Sequence, residues 1–156
     1  LYGKQIPVPR QEAWYGTVDY TYSGQHHAGR PLPKALQTLL DRVQERAGAT
    51  FNSVLCSLYR DGSDSVAWHC DDEKGLGEDP TIASVSLGAT RRFRLKSLDG
   101  SEKLSLDLES GSLLIMGKGS QTNYLHCVTK TKKLVGPRIN LTFRYMEPAD
   151  PLLLPK

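Results

Sequence analysis

Apolar residues recur along the chain with two different periods, and each period predicts a different kind of element. In residues 33–48 one helical face is apolar and the other is charged. Four apolar residues follow the i, i+3, i+4, i+7 spacing of that face: Leu36, Leu39, Leu40 and Val43. Pro33 suits a first helical turn and Gly48 can end a helix, so this segment is predicted to be the one clear helix.

After the helix, short apolar and β-branched runs alternate with turn signals such as Asp61-Gly62 and Asp99-Gly100. Eight runs are predicted to be strands: residues 51–59, 66–71, 82–87, 93–96, 104–108, 112–116, 124–128 and 138–145. Eight strands favour a jelly roll, which is a barrel made of two sheets. The interior of such a barrel is wide enough for a metal ion and a small organic acid.

Length and composition favour one intracellular domain. A chain of 156 residues fits a single core, and it contains no apolar stretch long enough to span a membrane. The three cysteines lack the spacing of a disulfide framework, which favours a reducing compartment. They are expected to be small buried residues: Cys56, Cys70 and Cys127. We expect a monomer located in the nucleus of a eukaryote or the cytoplasm of a bacterium.

The net charge permits a nucleic-acid partner without requiring one. It is +3, with a pI near 8.8, whereas nucleic-acid-binding domains usually exceed a pI of about 9. Basic runs occur at residues 91–94 and 130–133. Either run could instead be a solvated strand edge that prevents aggregation, so charge alone does not decide the function.

His69 and Asp71 are one residue apart in a predicted strand, where a side-chain period of 2 places both on one face. His126, on a distant predicted strand, can supply a third ligand. Two histidines and one carboxylate form the facial triad that is diagnostic of non-haem Fe(II) oxygenases. A zinc site of two His-Cys pairs is the alternative, with Cys70 and Cys127 as thiolate ligands. Adjacent strand residues point to opposite faces, so either pair would need a bulge to converge.

The last predicted strand has one polar and one apolar face. The polar face carries Arg138, Asn140, Thr142 and Arg144. If this face looks into the barrel, the arginines can bind an organic acid behind the metal. Six strand residues span about 20 Å, so the two arginines cannot hold one carboxylate by simple extension. Either they contact different ends of the acid, or Arg144 reaches back.

Five segments in this order resemble the AlkB family of Fe(II)- and 2-oxoglutarate-dependent dioxygenases, and in particular its nucleic-acid dealkylases. They are residues 52–62 (NSVLCSLYRDG), 68–73 (WHCDDE), 82–91 (IASVSLGATR), 111–116 (GSLLIM) and 138–144 (RINLTFR). The resemblance implies one domain over residues 1–156. Its fold would be mainly β with α: a double-stranded β-helix (jelly roll) core at 51–146, a flanking helix at 33–48 and an N-terminal nucleotide-recognition lid at 1–30.

The resemblance further implies that Fe(II) is held by His69, Asp71 and His126, with 2-oxoglutarate and O2 as cosubstrates. The implied cosubstrate contacts are Tyr59, Arg138, Asn140, Thr142 and Arg144. In this scheme Arg138 receives the distal carboxylate, while Arg144 meets the end that chelates iron. Ser57 stands where the family usually has Asn, so the contact made there is expected to be lost or mediated by water.

The implied reaction is oxidative demethylation of bases such as 1-methyladenine and 3-methylcytosine in DNA, a direct reversal of damage. An RNA demethylase, a protein hydroxylase and a nucleic-acid-binding barrel without turnover are the alternatives. A base inside a duplex must be flipped to reach the metal, unless the substrate is single-stranded. The candidate substrate contacts are Tyr2, Arg10, Tyr20, Tyr22, Asp72, Glu73 and Arg91.

Three of these substrate roles have a specific basis in the resemblance, and each has a plainer alternative. Tyr20 and Tyr22 would stack on the flipped base, or else pack within the lid. Asp72 or Glu73 would contact an exocyclic amine, or else lie in a solvated turn. Tyr2 would fill the gap left by the flipped base, or else belong to a frayed chain end.

Overall fold

Two antiparallel sheets, two helices and a short hairpin make up the computed structural model, which describes residues 10–22, 25–73 and 75–147. The elements are β1 (Gln11–Gly16), β2 (Tyr20–Tyr22), β3 (Gln25–His27), α1 (Lys34–Ala47), β4 (Ser53–Tyr59), β5 (Val66–His69), β6 (Ile82–Gly88), β7 (Arg91–Ser97), β8 (Lys103–Leu108), β9 (Leu113–Met116), α2 (Ser120–Asn123), β10 (Tyr124–Val128) and β11 (Arg138–Arg144). The large sheet has the strand order β1-β4-β11-β6-β9, and the small sheet has the order β5-β10-β7-β8.

The hydrophobic core has two layers. Between the sheets, Trp14 and Ile82 of the large sheet belong to the same buried cluster as Phe93 and Val128 of the small sheet. On the other face of the large sheet, a second cluster packs α1 against strand residues such as Phe143. This arrangement confirms the predicted jelly roll with a flanking helix.

Helix α1 begins and ends where its sequence predicts. Leu40 and Val43 are its buried residues, and both belong to the apolar face identified from the spacing. Gly48 ends the helix in the left-handed conformation (φ 60°), and its N–H donates to the carbonyl of Gln44. Glycine adopts this conformation without the steric cost that a side chain would impose.

Each predicted strand run overlaps an observed strand, but some bounds differ. The lid role of residues 1–30 stays a prediction; within that segment, β1 pairs with β4 along its length and extends the large sheet. Asp71 lies outside β5, which ends at His69. Of the cysteines, Cys127 is buried as expected, whereas Cys56 and Cys70 are only partly buried. Within the described ranges, no helix is long and apolar enough to cross a membrane.

Candidate metal and cosubstrate site

The structure brings the three predicted metal ligands together. His69 lies directly opposite His126 in the pairing of β5 with β10, and the centroids of the two rings are 4.2 Å apart. Asp71 reaches the same point from the segment after β5. One ligand atom of each residue lies within 4.8 Å of the other two. Among the described side chains this convergent group contains no cysteine, which excludes the zinc alternative with Cys70 and Cys127.

Hydrogen bonding and charge prepare these side chains for a cation. Burial, together with the nearby His69, lowers the pKa of His126 to about 4, so its ring is neutral at pH 7. Burial acts to raise the pKa of Asp71, but Arg144 and the two histidines outweigh it and hold that pKa below its usual value. The Nδ1 of His69 lies 2.9 Å from the carbonyl oxygen of Ala67, and a carbonyl can only accept. Nδ1 therefore carries the proton, and Nε2 is left to bind a metal.

Two contacts from outside β5 hold Asp71. Nη2 of Arg144 donates to Oδ1 of Asp71 at 2.8 Å, and the backbone N–H of Asp71 donates to Oε1 of Gln121 at 2.9 Å. Sequence reasoning missed Gln121, since a single polar residue in a helix of four residues has no periodicity that marks it. The convergence of Asp71 with His69 depends on these contacts rather than on the strand period from which it was predicted.

The inner face of the large sheet supplies the second half of the site. Its aligned positions carry polar side chains in rows, because the strand register places Arg138 beside Tyr59 and Asn140 between Ser57 and Ser86. The cavity lined by these rows is also lined by the three metal ligands. Arg144, at the other end of β11, lines it too. The two arginines therefore lie at opposite ends of one strand and line the same cavity, and which of the two predicted arrangements they adopt stays a prediction.

Arg138 is 1% exposed, and only part of its guanidinium is hydrogen-bonded. Its Nη2 donates to Oγ of Ser86 at 2.8 Å and to Oδ1 of Asn140 at 2.7 Å. Its Nε and Nη1 are buried and make no hydrogen bond with a described residue. Burial lowers the pKa of Arg138, and the neighbouring Tyr59 opposes this. A buried guanidinium with two nitrogens still to be satisfied suits the carboxylate of a bound acid.

Asn140 and Thr142 act on Arg138 and on each other. Oδ1 of Asn140 accepts from Arg138 and from Oγ of Ser84, while its Nδ2 donates to Oγ1 of Thr142 at 2.7 Å. The Asn140 amide is thus engaged on both sides. These contacts orient Arg138, and the direct cosubstrate contact that the resemblance implies for Asn140 stays a prediction.

Ser57 and Arg10 meet at a residue that sequence reasoning missed, Glu12. The Ser57 hydroxyl donates to Oε1 of Glu12 at 3.5 Å, and the same carboxylate oxygen lies 2.7 Å from Nη2 of Arg10. Glu12 stands directly opposite Ser57 in the pairing of β1 with β4. Without β1 in the predicted fold, nothing in the sequence connected the two. Arg10 and Ser57 both line the cavity.

Arg91 has a structural role in place of the predicted substrate contact. It is 2% exposed, and its guanidinium donates to the backbone carbonyls of Asp61, Asp64 and Thr129. A side chain enclosed in this way has no surface to offer a base. The resemblance marked the position but could not show on which side of β7 it lies.

The structure describes the other candidate substrate contacts to different extents. Asp72 is exposed and Glu73 partly buried in the segment after the metal ligands. The backbones of Tyr20 and Tyr22 form β2, paired with β3, but their side chains lie outside those described. Tyr2 lies outside the described residues. The substrate roles of all these residues stay predictions.

Comparison with known proteins identifies the family. The model of the 2OG-Fe(II) oxygenase superfamily matches residues 2–144, and this chain belongs to that superfamily. Its members use Fe(II), 2-oxoglutarate and O2, the set that the resemblance implied. The oxygen and nitrogen donors of His69, Asp71 and His126 suit Fe(II).

Particular relatives are of the AlkB type. The chain is 44% identical to the human protein named alpha-ketoglutarate-dependent dioxygenase alkB homolog 3, over 92% of this chain and 53% of that protein. It is 39% identical to human DNA oxidative demethylase ALKBH2, over 92% of this chain and 59% of that protein. The chain therefore spans little more than half the length of these relatives.

A solved structure shares the fold. The structure of OsALKBH1 superposes with a TM-score of 0.67 and 21% identity, covering 91% of this chain and 82% of that one. At this identity the likeness shows the fold alone.

Proposed function

We propose that this protein is an Fe(II)- and 2-oxoglutarate-dependent dioxygenase that demethylates N-alkylated bases in DNA. The observation that carries the proposal is the pairing, within one cavity, of a His-Asp-His group with the buried, half-satisfied Arg138. Two relatives with high identity support it, since one is named a dioxygenase and the other a DNA oxidative demethylase. When bound, Fe(II) with 2-oxoglutarate and O2 supplies the oxidising chemistry that removes an N-linked methyl group.

Different side chains are proposed to bind the metal and the cosubstrate. His69, His126 and Asp71 would hold the cation, because imidazole nitrogens and a carboxylate are suitable ligands for it. Arg138, whose Nε and Nη1 are buried without a partner among the described residues, would bind a carboxylate of the cosubstrate. Arg144 keeps Asp71 ionised and lies at the metal end of the cavity.

The substrate base enters from outside the barrel. A base cannot reach a ligand group enclosed between two sheets while it is stacked in a duplex, so it is flipped out or supplied single-stranded. Asp72 and Glu73 follow the ligand Asp71 directly, which suits a contact to an exocyclic amine. Arg10, Tyr20 and Tyr22 belong to the N-terminal segment, which we propose to cover the base.

The first prediction tests the reaction itself. The protein should release formaldehyde from oligonucleotides that contain 1-methyladenine only when Fe(II) and 2-oxoglutarate are both present. Asp71→Asn should abolish release, because it removes the ligand charge while preserving the side-chain shape. Asp107→Asn, on the exposed part of β8, should leave the rate unchanged. Release without 2-oxoglutarate, or an Asp71→Asn variant as active as the parent, would contradict the proposal. RNA oligonucleotides with the same lesion decide between DNA and RNA.

A further inference from the structure

Asp71 lies just beyond the end of β5, where the pairing with β10 has stopped. The ladder between β5 and β10 ends with the pair of His69 and His126, and Asp71 lies two residues further on. Its N–H donates to the side chain of Gln121 instead of to a neighbouring strand. The position of the third metal ligand therefore depends on a side chain fifty residues away.

The amide of Gln121 has only one orientation that satisfies its surroundings. A backbone N–H can only donate, so the amide oxygen faces Asp71. The amide nitrogen then lies 3.7 Å from the thioether sulfur of Met116, a weak acceptor. Gln121 is 5% exposed, so water cannot readily replace either contact.

The short helix that carries Gln121 is itself fastened. Both carboxylate oxygens of Asp79 lie 2.7 Å from the N–H of Gly119, the residue before α2. Asp79 adopts a φ of 52°, a conformation that residues other than glycine rarely adopt. The side-chain amide of Asn123 also donates to the carbonyl of Gly119 at 3.0 Å. The Asp79 contact ties α2 to the loop before β6, while the Asn123 contact closes the turn of α2 itself.

Helix α2 runs directly into β10, which carries His126. Gln121 thus joins the backbone of one ligand, Asp71, to the segment that carries another. We infer that Gln121 is a positioning residue, which sets the separation of Asp71 and His126 and so the affinity and geometry of the metal site. The inference rests on the proposed metal site and adds a residue that does not touch the metal.

Two substitutions separate hydrogen bonding from packing. Gln121→Met keeps the length and volume of the side chain but removes the acceptor oxygen. Gln121→Glu keeps an acceptor oxygen and adds a negative charge near the cation. Thr122→Ala, at an exposed position of the same helix, is the matched control.

The experiment titrates each metal-free protein with Co(II) and records the visible absorption spectrum of the bound ion. Removing a residue that orients a metal ligand typically weakens metal affinity by about 10- to 100-fold. We expect the dissociation constant of Gln121→Met to exceed that of Gln121→Glu at least about tenfold, with an altered spectrum in the Met variant alone. Thr122→Ala should match the parent in both measurements.

The outcomes distinguish this inference from the proposed function. If the parent itself does not bind Co(II), the metal site fails. If the parent binds but the Met and Glu variants differ by less than about threefold, the positioning role of Gln121 is wrong. A Met variant with the affinity and spectrum of the parent would also overturn it.

Discussion

Arg138 is a buried cation without a carboxylate partner among the described residues. Burying a charge without full compensation is unfavourable for folding. Its neighbour Arg91 is also buried and lies over the same Tyr59 ring, at 5.5 Å from the centroid against 5.1 Å for Arg138. Arg91, however, donates to three backbone carbonyls. The two arginines can therefore be compared directly. Arg91 has a role in the fold, whereas Arg138 is proposed to bind a ligand.

Replacing each of these arginines by Met should have opposite effects. Arg138→Met should weaken 2-oxoglutarate binding at least about tenfold, since losing one partner of a buried charged pair costs about 2 to 5 kcal/mol. The ligand-free variant should be as stable as the parent or more so, because an uncompensated charge is removed. Arg91→Met should lower the free energy of unfolding by at least about 2 kcal/mol, because charged hydrogen bonds are lost. Calorimetric titration and urea unfolding measure the two quantities.

An Arg138→Met variant that binds the cosubstrate like the parent would remove Arg138 from the site.

At the residue scale, the sequence could identify candidate site residues but not the groups to which they hydrogen-bond. Both Arg138 and Arg91 were expected to contact ligands. Which one is satisfied by backbone carbonyls depends on a turn and a loop, around Asp64 and Thr129, that only the folded chain brings together.

The turn between β4 and β5 is organised by Asp64. Its buried carboxylate accepts three hydrogen bonds from Arg60, one from the backbone N–H and two from the guanidinium. The side-chain bond from Arg60 is the main cause that lowers the pKa of Asp64, and burial opposes it. A carboxylate whose pKa is lower in the folded state stabilises the fold above its unfolded value of about 3.9. That contribution is lost as the pH falls through the lowered pKa of the folded state.

Asp64→Asn should therefore reduce the free energy of unfolding by about 1 to 3 kcal/mol at pH 7, the range for hydrogen bonds to a charged group. The difference from the parent should shrink below about pH 4, where the parent carboxylate begins to be protonated in the unfolded state. Urea unfolding at pH 7, 5 and 3 measures it. Glu109→Gln, at an exposed position, should change little at any pH. A difference that stays constant down to pH 3 would contradict this account.

Helix α1 stabilises the large sheet from outside and does not line the cavity. Leu40→Ala should lower the free energy of unfolding by about 2 to 5 kcal/mol, since it leaves a cavity in the second core cluster. Cosubstrate affinity should be unchanged. The exposed Glu45→Ala should stay within about 0.5 kcal/mol of the parent. Loss of cosubstrate affinity in Leu40→Ala, at a temperature where it is folded, would show that α1 also shapes the site.

A helix or strand can be predicted from the sequence when the residues that determine it lie within the element itself. Helix α1 has an apolar face and end signals within its own residues, so sequence reasoning placed it closely. Strand β1 has no such pattern. Its place in the sheet comes from pairing with β4, some forty residues away in the chain, and the segment was taken for part of a lid. Strand β5 was predicted too long because the alternation of His69 and Asp71 continues past the last paired residue.

At the scale of the whole molecule, the site is formed by residues from both sheets. The small sheet and the segments leading from it supply His69, Asp71 and His126, while the large sheet supplies Arg138 and its supporting row. The family motifs could indicate that these residues belong together. They could not indicate the direct link between the layers, in which Arg144 of the large sheet donates to Asp71.

At this scale the choice of substrate strand remains to be measured, and Tyr2 offers the test. If Tyr2 fills the gap left by a flipped base, Tyr2→Ala should depress repair of methylated duplex much more than repair of the same lesion in single-stranded DNA. Unstacking costs a few kcal/mol in a duplex, and an aromatic wedge recovers part of that. Single-turnover rates on both substrates give the ratio. Equal losses on both, or none on either, would remove Tyr2 from the mechanism and favour single-stranded DNA or RNA.

The division of the site between two layers has a consequence for how long the protein survives. A cosubstrate that touches both Arg138 and the bound metal clamps one sheet to the other, and a ligand bound only by the folded state stabilises it by mass action. At one hundred times its dissociation constant that effect is about 2.7 kcal/mol. Starvation for iron or for 2-oxoglutarate would then do more than slow the enzyme. The ligand-free protein would then open more often and meet proteases more often, so its amount would fall together with its rate.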